Sequence, residues 1–138
     1  MIESAAFIEG GRQRGFRFYS TVPCSYFQPL LDCVTQHPQL THVGAANEGD
    51  AVAVATGAAL AGHRSIVMMQ NSGLGNAVSP LTSLNATFEL PVLLVVTWRA
   101  EPGTRDEPQH RLMGSITTSL LDQMEIPWEL FPSEPAQI

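Results

Sequence analysis

The sequence predicts a three-layer α/β fold, a mostly parallel sheet with helices on both faces, and three observations carry that prediction. Helical and strand-like patterns alternate along the whole chain. Two continuous apolar runs, 65–70 (SIVMMQ) and 90–97 (LPVLLVVT), have the composition of strands covered on both faces. The connections Gly62-His63 and Glu89 are short, whereas those that follow the strands are longer and polar. Such alternation implies right-handed crossovers, and 138 residues fit one domain with a core of its own.

Taken in order, residues 4–13 form a helix closed by basic residues and Gly15. Residues 16–21 (FRFYST) alternate as a strand does. The turn Val22-Pro23-Cys24-Ser25 leads into a helix over 26–36, with Ser25 able to cap it and Pro38 ending it. A strand over 40–44 precedes Asn47, which has N-cap chemistry, and a helix over 48–61 with Ala, Val and Gly on nearly every face. After the strand 65–70 come a glycine-rich turn over 71–76 (NSGLGN) and a helix over 77–88. The buried strand 90–97, a polar loop over 98–109, an amphipathic helix over 111–124 and a last strand beginning over 127–131 complete the chain.

Composition narrows the function. A chain that is 44% hydrophobic and 14% charged folds as a globular domain. Its net charge of −6, scattered arginines and complete lack of lysine argue against nucleic acid, whose phosphates need clustered cations. Neither a basic signal-peptide region nor an apolar run of membrane-spanning length is visible, so the expected location is the cytoplasm, without a membrane partner. The spacing of Cys24, Cys33 and the four histidines suggests neither a disulfide framework nor a metal site.

In parallel sheets, ligands bind beyond the carboxyl ends of the strands. The polar clusters fall there: Pro23-Cys24-Ser25, Asn47-Glu48, 70–76 and 98–110. Glu48 stands out, because it opens a helix whose composition marks it as buried. Alone, it reads as an ordinary first-turn acid complementing the helix dipole. Gly73-Leu74-Gly75 lacks the third glycine and the later acid of a dinucleotide fingerprint, and no P-loop lysine follows. Those glycines instead let a ligand approach the main chain. Ser72 on its strand-to-helix turn invites a hydrolase reading with His110 and Asp106, although Gln70 stands where a nucleophile elbow has glycine. Cys24 near a helix start is either a nucleophile or a buried small hydrophobe. Trp98, Arg99 and Arg105 offer stacking and charge to an anionic ligand, or are solvated loop residues, and His110 is either a cap-region residue or an acid/base group.

Four blocks in this order, VPCSYFQPLL (22–31), AANEGDAVAVATGAALAG (45–62), MMQNSGLGNAVSPLTSL (68–84) and WRAEPGTRDEPQH (98–110), resemble the pyrimidine-binding domain of thiamine diphosphate-dependent decarboxylases. Within that family the phosphonopyruvate branch is the nearer and the sulfopyruvate alpha subunits come next; the resemblance covers about residues 15–131. It implies the thiamine diphosphate-binding fold, and a catalytic role for Glu48 at N1′ of the aminopyrimidine, with His110 as a second catalytic group. Pro23, Gln70, Ser72, Gly73 and Asn76 would line the cofactor, and Cys24, Ser25, Asn71, Leu74 and Gln109 the substrate. The implied reaction decarboxylates a small anionic 2-oxoacid, phosphonopyruvate to phosphonoacetaldehyde and CO2 in phosphonate biosynthesis, or its sulfonate analogue.

The full-length family holds diphosphate and Mg²⁺ in a second domain marked by Gly-Asp-Gly and a downstream Asn; here Gly49-Asp50 is followed by Ala51. The expectation is therefore a single pyrimidine-binding domain over 1–138, either a separate subunit or a first domain cut from a longer chain. It works with a pyrophosphate-binding partner in a homo- or hetero-oligomer. Its Gly/Ala-rich helix packs against either a partner helix or its own sheet. A non-catalytic interaction module on the same fold is the competing reading.

Overall fold

The computed structural model describes residues 2–137. Nine main elements follow one another: α1 (Ser4–Gln13), β1 (Phe16–Thr21), α2 (Gln28–Gln36), β2 (Thr41–Gly44), α3 (Glu48–Leu60), β3 (Arg64–Gln70), α4 (Leu74–Pro80), β4 (Leu93–Thr97) and α5 (Arg111–Gln123). The four strands form one sheet in the order β2-β1-β3-β4, and every pairing is parallel. Thr21 stands beside both Gly44 and Met68, and Gln70 beside Thr97, so all four strands end along one edge. The three-layer α/β prediction holds.

Alternation along the central strands sorts the core into two halves. Tyr19, Ile66 and Met68 meet Ile8 of α1 and Leu30, Leu31 and Val34 of α2. On the opposite face Val67 and Met69 meet Ala51, Val52 and Ala55 of α3, Leu74 and Ala77 of α4, and Leu121 of α5. Ser65 to Met69 are all buried, as a doubly covered strand requires.

Several elements depart from the sequence prediction. The second helix opens with a 3-10 turn, Ser25–Phe27, and becomes α-helical only at Gln28, with no side-chain cap from Ser25. Pro29 sits in the first α-helical turn, where its missing N–H costs nothing. The helix expected over 77–88 begins earlier, at Leu74, and turns into a π-helical stretch over Leu81–Ala86. Pro80 inside the helix explains the change, since it cannot donate to the preceding turn. Asn85, within this stretch, donates to Leu90 O at 2.8 Å and to Thr56 Oγ1 at 2.9 Å, which ties it to the chain that follows and to α3.

The run 90–97 proves to be an edge strand only from Leu93 onward, with Leu93 42% exposed and Val95 its one buried residue. Pro91 supplies no ladder donor. The strand expected over 127–131 does not form. That segment, entered through Pro127, crosses from the α5 layer to α1: Trp128 meets Trp98 edge-on at 6.3 Å and Phe131 meets Phe7 at 4.5 Å between ring centroids.

Candidate active site

Each polar cluster is delivered by a strand end. Asn47 takes extended geometry and its Oδ1 accepts the Asp50 N–H at 3.0 Å, the capping interaction its sequence position predicts. This cap fixes the first turn of α3 and turns Glu48 inward, so that the side chain is 9% exposed. Asn76 of α4 donates through Nδ2 to Glu48 Oε2 at 2.8 Å. Glu48 Oε1 accepts no hydrogen bond among the described residues, which leaves one carboxyl oxygen for another partner. The Glu48 side chain lies across Gly73, where an added Cβ would collide with its carboxyl carbon and Oε1. A side chain at position 73 would force the carboxyl to move.

A second group links three strand ends. Cys24, 7% exposed, donates through Sγ to Gln70 Oε1 at 3.3 Å and lies 3.6 Å from Thr97 Oγ1. Gln70 Nε2 donates in turn to Ser72 Oγ at 2.6 Å. The thiol is thus a buried polar link that belongs to the α1/α2 half of the core, and both Cys24 and Cys33 are free. Pro23, Ser25 and Ser72 are exposed beside it.

The loop over 98–110 leaves β4 at the same edge. Arg99 donates from Nε to Asp106 Oδ2 at 2.7 Å and from Nη2 to Oδ1, and its guanidinium covers the Tyr26 ring 4.4 Å from the centroid. This pairing, helped by the Ala100 and Glu107 amides, holds the Asp106 carboxyl far below the usual carboxylate range and raises Arg99 further. Arg99 is therefore committed inside the loop, and the exposed Arg105 makes no ion pair among the described residues. His110 is half-buried and its Nδ1 is shielded from solvent without a partner among the described residues; Gln109 is exposed.

Of the residues singled out in the sequence, the structure gathers Glu48, Gly73 and Asn76 into one contact set and Cys24, Gln70 and Ser72 into another. Asn71 and Leu74 stand on the same turn but are fully buried. The hydrolase arrangement is absent: Asp106 is locked to Arg99, and Ser72 hydrogen-bonds Gln70 rather than a histidine. Two surface hollows lie elsewhere, one beside Ile8, Cys33 and His37, the other beside Arg17, Thr41 and His63. Sequence reasoning missed Thr97 and Thr117. Thr97 is findable as the last residue of the strand next to Gln70, whereas Thr117 sits in mid-helix with no local signal.

The cofactor the fold implies can be tested against this geometry. An uncommitted carboxyl oxygen, a glycine cradle beneath it and main chain free of side-chain bulk suit a flat ring bearing a basic nitrogen. Residues 4–126 match the family model described as thiamine pyrophosphate enzyme, N-terminal TPP binding domain. A phosphonopyruvate decarboxylase of Streptomyces viridochromogenes is 44% identical over 132 residues, 96% of this chain and 33% of that one. A sulfopyruvate decarboxylase subunit alpha of Methanothermobacter thermautotrophicus is 36% identical over 134 residues, 97% of this chain and 80% of that subunit. Among solved structures, a 2-oxoglutarate:ferredoxin oxidoreductase from Magnetococcus marinus superposes with a TM-score of 0.64 and 26% identity, over 75% of this chain and 18% of that one. The chain spans about a third of the phosphonopyruvate decarboxylases it matches. With a family match running from the first helix past the last, the chain belongs to the thiamine pyrophosphate enzymes, as an N-terminal TPP-binding domain.

Proposed function

We propose that this chain is the pyrimidine-binding half of a thiamine diphosphate-dependent decarboxylase acting on an anionic 2-oxoacid, with phosphonopyruvate as the first candidate and sulfopyruvate as the second. The observation that carries the reading is Glu48: buried, anchored by Asn76 through one oxygen, and open through the other above Gly73. The cofactor, when bound, supplies a carbanion and an electron sink for the departing CO2. This chain's residues do the rest of the work on its side of the site. Glu48 would share a proton with the pyrimidine ring nitrogen of the bound cofactor, and Asn76 holds that carboxyl through Oε2. Gln70, Ser72 and Pro23 would wall the ring, and Cys24 and Ser25 would face the substrate side.

His110 is the second proton-handling group of the reading, supported by a ring nitrogen, Nδ1, that has no partner among the described residues. Gln109 is exposed beside it, and Arg105 is the cation left to meet a phosphonate or sulfonate, since Arg99 is already paired. Both acid groups are tetrahedral anions that arginine binds alike, so identity to the relatives ranks the substrates: 44% and 39% for two phosphonopyruvate decarboxylases against 36% for an alpha subunit. Mg²⁺ and diphosphate fall to a second domain or subunit carrying Gly-Asp-Gly, within a homo- or hetero-oligomer of the cytoplasm. The 80% coverage of a separate alpha subunit favours a two-chain enzyme as the second form of the reading.

The test is reconstitution. This chain mixed with its pyrophosphate-binding half, thiamine diphosphate and Mg²⁺ should release CO2 from phosphonopyruvate, or from sulfopyruvate at a lower rate. An assembled pair that binds thiamine diphosphate and decarboxylates neither acid would favour the interaction-module reading instead.

A further inference from the structure

Asn71 follows the last residue of β3, where the main chain leaves the sheet to make the turn beneath Glu48. It is the one fully buried polar side chain of that turn. Its Oδ1 accepts the Arg99 N–H at 3.2 Å and its Nδ2 donates to Arg99 O at 3.0 Å. The carboxamide therefore holds both main-chain groups of Arg99, joining the first residue past β3 to the second residue past β4 after the β3–β4 ladder has ended at Gln70 and Thr97. The other hydrogen of Nδ2 reaches Thr117 Oγ1 of α5 at 2.9 Å, and that hydroxyl donates to Met113 O at 2.6 Å. Both hydrogens of Nδ2 and one lone pair of Oδ1 are taken by protein.

The loop that Asn71 grips is fastened at other points too. Trp98 Nε1 donates to Gly114 O at 2.8 Å, and α5 approaches so closely at Gly114 that an added Cβ would strike the Ala100 carbonyl. Ala100 is held at φ +53°, a conformation costly for a residue with a Cβ, with its N–H bound to Asp106 Oδ2 at 2.8 Å. A strained residue persists only where its neighbours fix it on several sides. The Asn71 clamp is the fastening that ties this loop to the strand end under Glu48.

We propose that Asn71 is a positioning residue: its buried carboxamide registers the 98–110 loop, with Gln109 and His110 at its end, against the turn that carries Gly73 and Glu48. The inference rests on the reading of the site given above, and it assigns Asn71 a task other than touching substrate. Glu48 keeps its own anchor through Asn76, so loss of the clamp leaves the cofactor-activating carboxyl in place and displaces the opposite bank. Misplacing groups by about an ångström is enough to lower rates roughly a hundredfold.

The experiment compares wild type, Asn71→Ala and Thr117→Val in the assembled enzyme, by steady-state kinetics, C2 proton exchange of bound thiamine diphosphate, and amide hydrogen exchange. The Ala variant should lose roughly ten- to hundredfold in kcat/KM, by the same factor with phosphonopyruvate as with sulfopyruvate. Amides over 98–106 should lose protection while C2 proton exchange stays close to wild type. Thr117→Val, which removes one leg of the clamp, should change each quantity in the same direction by less, and carries the test if the Ala variant does not fold. Unchanged protection over 98–106 in both variants would overturn the proposal, as would a loss that depends on the acid group or one matched by loss of C2 exchange. A wild-type assembly that exchanges no C2 proton fails the functional reading itself, whatever the Asn71 variants do.

Discussion

Gly73 decides whether Glu48 can occupy its place. A methyl group there would enter the space of the carboxyl, so Gly73→Ala should cost about 1–3 kcal/mol of stability by overpacking and displace the acid. The expected outcome is a folded variant, judged by circular dichroism, that binds thiamine diphosphate poorly when assembled; wild-type affinity would show that the carboxyl has room to shift. His42 supplies a different test. Its Nε2 lies 2.8 Å from Thr21 Oγ1, and burial pushes the ring below its ordinary value. The unfolded chain therefore binds that proton more readily. The stabilisation is fully present above the unfolded value of about 6.5 and is lost as pH falls below it. Urea midpoints between pH 8 and pH 5 should fall less steeply for His42→Asn than for wild type, and equal slopes would remove His42 from the acid response. At this scale legibility follows locality. Asn47 and Glu48 were readable because a cap and the first helical turn are set by neighbours in sequence. The inward turn of Asn71 was not, because its partners lie 28 and 46 residues away.

Among the elements, α3 shows what an all-apolar pattern leaves undecided. Ala51, Val52, Ala55, Thr56 and Ala58 pack into the domain, but Ala53, Val54, Gly57 and Leu60 are exposed, Leu60 by 68%. The pattern announced burial on every side, and one chain covers only part of it. Nothing stands within 4 Å of a Cβ placed on Gly57. Gly57→Trp should accordingly leave the isolated domain's thermal midpoint within a few degrees of wild type, yet block assembly in sedimentation velocity if this face receives a partner; an unaffected oligomer would put the interface elsewhere. The same distinction explains β4. Its Leu and Val content predicted cover on both faces, and Val95 does pack into one half of the core with Leu94 and Val96 against the other, but its place at the sheet edge depends on pairings that no local run of residues specifies. The π-helical stretch that follows Pro80 did not show in the 77–88 helical pattern, and its buried Asn85–Thr56 contact with α3 joins residues 29 apart in sequence.

For the molecule as a whole, the parallel sheet brings four strand ends to one edge, and that edge carries the residues proposed to form half of a catalytic site. Glu48, Gly73 and Asn76 form one bank, the Arg99–Asp106 loop with His110 the other, and Asn71 sits between them. The alternation of helix and strand made the architecture readable from the sequence, and family-specific blocks made the cofactor readable. The contribution proposed for this chain, a proton held at the pyrimidine ring, is separable from everything a partner adds. The most direct measurement is therefore C2 proton exchange of thiamine diphosphate bound to the assembled enzyme, wild type against Glu48→Gln. Exchange should be fast in the wild type and fall by orders of magnitude in the variant, with circular dichroism and cofactor binding retained. Exchange at the wild-type rate in Glu48→Gln would contradict the role given to this carboxyl, and with it the account of the site.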